Sequence, residues 1–262
     1  AILSRGLGDV YKRQEYCDFH QIQYNSGNIE AYLRDGGMPE VLKTKDEEQR
    51  TQLLSDIITS TVRNDIVARY NPSNPQLLYS LIDFCRSSFS QQLSVRRIAE
   101  EVLRGMRVRI KDKGRTTSLV ESYIKYLSDV YFLDLPKTYS YRTKDTLKRT
   151  VDKVYLRDLS IAEYQSKTQR GRLLENMIYL ELRKKGYNVQ RFLGYRNRNL
   201  EIDFHIERRD KSALVQVCWL LGDEVENVNL WQREFGNLAD TKLDTFKCVV
   251  SLDDSLRSPY AG

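Results

Sequence analysis

Residues 200–207, LEIDFHIE, alternate apolar and polar side chains without a break. A period of two fits an extended strand with two different faces. Leu200, Ile202, Phe204 and Ile206 would share one face, and Glu201, Asp203, His205 and Glu207 the other. A charged turn, RRDKS, leads into LVQVCWL (214–220), where Gln216 and Cys218 fall two apart between apolar neighbours. The two runs read as a hairpin. Around them, GRLLENMIYLELRKKGY reads as a helix ended by Gly186, NVQRFLGY as a strand, NLWQREFGNLADT as a helix and FKCVVSLD as a final strand. An α-β-β-β-α-β order of this kind implies a mixed sheet flanked by helices.

Upstream the period changes to that of helices. NIEAYLRDGGMPEVL is a short helix stopped by Gly36-Gly37 and Pro39. In DEEQRTQLLSDIITSTVRNDIVARY the apolar residues Leu53, Leu54, Ile57, Ile58, Val62, Ile66 and Val67 recur at helical spacing. Asp46, Glu47 and Glu48 stand near its start, where the helix dipole favours acids. NPSNP (71–75) then marks a boundary. Three helical segments follow. The first is lined by Leu77, Leu78, Leu81, Ile82 and Cys85. Ser94 caps the second, whose face is Val95, Ile98, Ala99, Val102 and Leu103. Thr117 or Ser118 caps the third, with Leu119, Tyr123, Ile124, Leu127 and Val130 inward. Two strand candidates, YFLDLPKTYSY and TVDKVYLRD, are separated by the polar RTKDTLKR. Three helices and then a hairpin is the order of a winged helix-turn-helix; a small helical bundle with an added hairpin is the alternative.

No apolar run approaches the roughly 20 residues a membrane helix needs, and no signal peptide opens the chain, so a cytoplasmic protein with no membrane partner is expected. Cys17, Cys85, Cys218 and Cys248 form no C-x-x-C pair, which speaks against a zinc site or a disulfide framework. His20 and His205 are too few for histidine-based metal sites or triads. A net charge of +6 permits a nucleic-acid partner. The basic run RGMRVRIKDKGR carries Arg104, Arg107, Arg109, Lys111, Lys113 and Arg115 against one acid, Asp112. With Thr117 and Ser118 as further donors, it is placed to bind DNA phosphates; a solvated loop is the plain alternative. The 17 Tyr residues and Trp219 and Trp231 read as packing residues.

Glu175 on its helix, Asp203 on one strand and Gln216-x-Cys218 on the next resemble the restriction-nuclease-like fold, the PD-(D/E)XK superfamily. In active members a helix Glu, a strand Asp and an acid two residues before a Lys hold a divalent metal. Hard cations prefer charged oxygen ligands. Glu175 and Asp203 match that pattern and are the residues that would hold a metal if one were bound. Gln216 brings no charge and Cys218 no ammonium, so a vestigial cluster is expected, its Gln amide donating to Asp203 or Glu175. A working metal-dependent nuclease using Glu175, Asp203 and Gln216 remains the enzymatic alternative, and a merely solvated acidic face the structural one.

YLRDGGMPEVL, VRNDIVARY, KVYLRD, GRLLENMIYLELRKKGY, EIDFHI and QVCWL occur in the order found in a large prokaryotic group of predicted AAA+ ATPases, which this chain resembles over roughly residues 28–252. The resemblance implies a P-loop ATPase module upstream, a winged-helix region and a nuclease-like end. Four segments are expected: 1–14, AILSRGLGDVYKRQ, resembling translated adapter read-through; 15–75, a helical lid remnant of the ATPase module; 76–160, the winged helix-turn-helix; and 161–262, the nuclease-like domain. The natural protein would then start upstream, making this a C-terminal fragment. The chain contains no G-x-x-x-x-G-K-[ST], so ATP and Mg are expected only for the missing upstream module. Expected partners are DNA, another protein and that ATPase module.

Overall fold

The computed structural model describes residues 27–106, 113–140, 153–163, 169–193, 201–221 and 228–252. They form two compact units of a mixed α+β protein. The first takes the described residues up to Leu135 and residues 153–163; the second takes residues 136–140 and the described residues from 169 onward. Among the described residues no helix is long and apolar enough to cross a membrane.

In the first unit, α1 (Gly27–Asp35) and α2 (Pro39–Lys43) precede α3 (Glu47–Thr61). Asp46 caps α3, its carboxylate accepting from the Gln49 amide. The helix then widens into a π-helical turn, Val62–Val67, before ending in Ala68–Tyr70. Val62 and Ile66 within that turn are buried. Asn71, at φ 42°, turns the chain in the left-handed region that Asn tolerates. Asn74 then caps α4 (Pro75–Ser88), with Pro75 in the first turn.

The five apolar residues expected to line α4 are all buried, as are the five on α5 (Val95–Gly105). Ser94 caps α5 by accepting from the Arg97 amide. One expected start is corrected: α6 runs Lys113–Asp129, so Thr117 and Ser118 lie in its second turn rather than at its cap. Tyr70 stacks on Tyr126 of α6 at 4.0 Å, and the Tyr123 hydroxyl accepts from the Asn74 amide.

YFLDLPKTYSY was expected as one strand and is two. β1 (Leu133–Asp134) belongs to the first unit and β2 (Thr138–Ser140) to the second. Pro136 explains the break: it has no amide hydrogen to give a ladder. β1 pairs antiparallel with β3 (Tyr155–Leu156). A 3-10 turn, Leu159–Ile161, follows. The Asp158 carboxylate just before it accepts from the Ser160 amide and hydroxyl and from the Gly37 amide, tying this turn to the end of α1.

The second unit holds a five-stranded sheet in the order β2-β4-β5-β6-β7. Its members are α7 (Arg170–Lys184), β4 (Asn188–Leu193), β5 (Glu201–Arg208), β6 (Lys211–Val217), α8 (Val228–Asp240) and β7 (Phe246–Val250). β4, β5 and β6 are antiparallel, while β2 and β7 join the two edges in parallel. Phe204 meets Tyr179 of α7 on one face. Leu214, on the other, clusters with Phe192, Ile202 and Leu238 of α8. Covering both faces buries two members of the polar set of β5: Asp203 and His205 are 7% and 2% exposed, so the alternative of a merely solvated acidic face does not hold for Asp203.

Candidate functional site: a side-chain bridge at a strand fork

The β5–β6 register ends with Phe204 opposite Val215. On the other side of β5, Gln190 faces His205 while Phe192 faces Ile202, so β5 spends one residue more than β4 over the same span. Such a bulge re-aims side chains and ends regular pairing. Asp203 and Gln216 sit where the ladder would have continued, and their side chains take up the backbone groups it leaves. The Asp203 amide donates to Gln216 Oε1 at 3.2 Å, and the Val217 amide donates to Asp203 Oδ2 at 3.0 Å.

The other end of the Gln216 amide reaches a residue that the strand pattern did not single out. Gln216 Nε2 donates to Glu234 Oε2 at 2.8 Å, and Glu234, on α8, is 3% exposed. The Arg233 guanidinium bonds the second Glu234 oxygen at 2.7 Å. The expected partner of the Gln amide was Asp203 or Glu175; the observed one is Glu234. The helical period held the clue, since Glu234 stands four residues before Leu238 on the inward stripe of α8. Asn237, on the same helix, donates to the Glu201 carbonyl at 3.1 Å.

Glu175 lies buried on α7 among Leu173, Leu174 and Met177. Burial pulls the neighbouring Arg172 guanidinium below its usual value, and the Glu175 charge opposes this. Cys218 is buried; its thiol donates to the Leu220 carbonyl and its amide to the Val250 carbonyl. Burial also pushes the His205 imidazole below its ordinary value, with Glu207 acting the other way.

A divalent cation, which a nuclease-like site implies, finds a poor set of donors at the fork. Both ends of the Gln216 amide are engaged, one Asp203 oxygen holds a strand amide, and Glu234 is neutralised by Arg233. Among the described residues no three His, Cys, Asp or Glu side chains stand where they could share a metal ion. The residues present do not fit the metal.

Of the basic run, Arg107, Arg109 and Lys111 lie outside the described residues. Arg104 stands in the last turn of α5, exposed and paired with Glu101 at 2.8 Å. Lys113 begins α6, Arg115 and Ser118 are exposed on it, and Thr117 is half-buried. The exposed charges of α6 are mixed, Arg115 and Lys125 alternating with Glu121 and Asp129.

Comparison with known proteins adds relatives. MJ1544, an uncharacterized protein of Methanocaldococcus jannaschii, is 28% identical over 227 residues, 85% of this chain and 48% of that protein. An uncharacterized protein of Haemophilus influenzae is 28% identical over 191 residues, 72% of this chain and 45% of its own. The chain spans about half the length of these curated relatives. No solved structure matches it. Residues 26–171, more than half of the 262, match the domain of unknown function DUF8612, and the chain belongs to that family.

Proposed function

We propose that this chain is the downstream part of an AAA+-type ATP-binding protein and serves it as a non-catalytic binding module. In this reading α4–α6 with the β1–β3 pair act as a winged helix that contacts DNA or a protein, and the sheet unit is a nuclease-like domain that has given up metal chemistry. ATP and Mg belong to the upstream module. The observation that carries the reading is the Gln216 side chain, bonded at once to the Asp203 amide and to Glu234. A Glu at that position would set two carboxylates against each other, whereas the amide donates to one and closes the fork. The mixed charge of the α6 surface favours a protein partner for that helix over duplex DNA, whose backbone selects for unbalanced positive charge.

Supercoiled plasmid incubated with Mg²⁺ or Mn²⁺ tests the enzymatic question. No nicking is expected from the natural chain; nicking that is lost in Asp203→Ala would overturn the proposal in favour of a metal-dependent nuclease. Fluorescent duplex titrated at two salt concentrations separates the two partner classes. Engagement of four to six phosphates gives a log–log slope of about −4 to −5, and a protein-binding surface gives a slope near zero.

A further inference from the structure

We propose that α8 is a detachable cover over the strand fork, held by polar latches and one deeply buried leucine rather than by a broad apolar face, so that it opens while the rest of the sheet unit stays folded. The inference rests on the geometry of the fork and holds whether or not the chain binds DNA.

The two helices of the unit are anchored in different ways. α7 buries Leu173, Leu174, Met177 and Tyr179 together with Glu175 and Asn176. α8, of similar length, buries Glu234 and Leu238. Leu238 reaches the core cluster of Phe192, Ile202 and Leu214. The polar links of α8 include the Gln216–Glu234 bond and the Asn237 bond to the Glu201 carbonyl. Val228 and Phe235 stay exposed, and Trp231 stacks on Phe235 at 4.9 Å along the helix itself.

Local opening takes the elements with the fewest buried apolar groups first. A hydrogen bond to a carboxylate is also exchangeable: when α8 lifts, water solvates both Glu234 and the Gln216 amide and offsets part of the lost bond, so the latch holds the helix by about a factor of ten. Buried apolar side chains have no such compensation. α8 therefore separates before α7. Its departure uncovers Gln216 and Glu234, and Asp203 behind the Gln216 amide, while β4, β5 and β6 stay paired along their length. An open fork offers an amide, a carboxylate and two strand ends to a polar or extended ligand, and the closed helix withholds them.

Native-state hydrogen exchange read by mass spectrometry tests this. In the natural chain the α8 amides should exchange at least tenfold faster than those of α7 and of β5–β6. Gln216→Ala should speed α8 exchange about tenfold more, the factor that 1.4 kcal/mol represents, and leave α7 unchanged. Asn237→Ala should act in the same direction and provides the test if Gln216→Ala does not fold. In a Trp219→Phe background Trp231 becomes the single tryptophan and should grow more accessible to acrylamide in either variant. Exchange of α8 in step with the sheet, or equal acceleration of both by either variant, would mean that the helix leaves only on global unfolding and would overturn the proposal.

Discussion

The Gly37 amide donates to both oxygens of the Asp158 carboxylate, at 3.2 and 3.0 Å, across 121 positions of the chain. This joins two of the short stretches that carry the family resemblance, YLRDGGMPEVL and KVYLRD, into one structure. Asp35 extends it, receiving Arg50 at 3.0 Å. Three expectations follow from this joint, and one each from the fork and from a buried thiol.

Gly36 has φ +72°, and a β-carbon there would stand 2.1 Å from the Ser160 amide nitrogen. Gly36→Ala therefore combines left-handed strain with a backbone clash, together about 3 kcal/mol or more. Gly186, at φ +79° with open space around it, supplies the control: Gly186→Ala should cost only about 1–2 kcal/mol. Urea melts of the two variants measure the difference.

Asp158→Ala leaves the Gly37 and Ser160 amides buried without their acceptor, a loss of about 2–4 kcal/mol on the scale of one to two orphaned donors.

Acidity should modulate that loss in a defined direction. Burial holds the Asp158 carboxyl above its ordinary value even though Ser160 and Gly37 pull it down. The folded chain then keeps this proton to higher pH than the unfolded one, so the contribution is full below about pH 4 and fades as pH rises through the raised folded value. The stability gap between the natural chain and Asp158→Ala should accordingly widen on acidification, as thermal melts at several pH values would record.

Gln216→Glu would place a second carboxylate against Glu234. At an effective dielectric near 20 two such charges about 4 Å apart repel by about 4 kcal/mol. Arg233 on Glu234 offsets part of this, so Gln216→Glu should destabilise the chain by about 1–3 kcal/mol, and adding Glu234→Gln should restore most of it. A double-mutant cycle with a coupling near zero would contradict this account of the fork.

Burial pushes the Cys85 thiol up to about 12 from 9.0. The unfolded chain releases that proton first as pH rises, so stability should decline from about pH 9 to 12, and Cys85→Ala should flatten the decline. At pH 8 a water-soluble thiol reagent should leave Cys85 and Cys218 intact and modify the partly buried Cys248 slowly, since burial raises that thiol too, as peptide mapping would reveal.

Local signals were legible and joints were not. Ser94 announces α5 because a hydroxyl before an apolar period has one obvious use, and the alternation of residues 201–207 announces β5. The alternation alone left open how deeply Asp203 and His205 lie, since it cannot report how closely a helix covers the polar face. The cap assigned to Thr117 or Ser118 failed for a related reason: the preceding Lys-Gly-Arg carries no stop, and the helix simply continues through it. At the candidate site, Asp203 and Gln216 were expected as partners with the Gln amide donating to a carboxylate; the observed bond runs the other way, from the Asp203 backbone amide to Gln216 Oε1, because it depends on a bulge that pairing periods do not encode. Glu234 was hidden as an ordinary charge on an amphipathic helix, and Asp158 by its distance along the chain from Gly37.

Pro136 sends the polypeptide out of the first unit to lay down β2; it goes back for β3 and leaves again for α7. The halves are thus threaded through each other in sequence, and no single cut or splice can separate them. Recombination at one point would strip the sheet of an edge or the helical half of its last strand. Across descendants of such a gene, the two should be inherited and exchanged as one indivisible block.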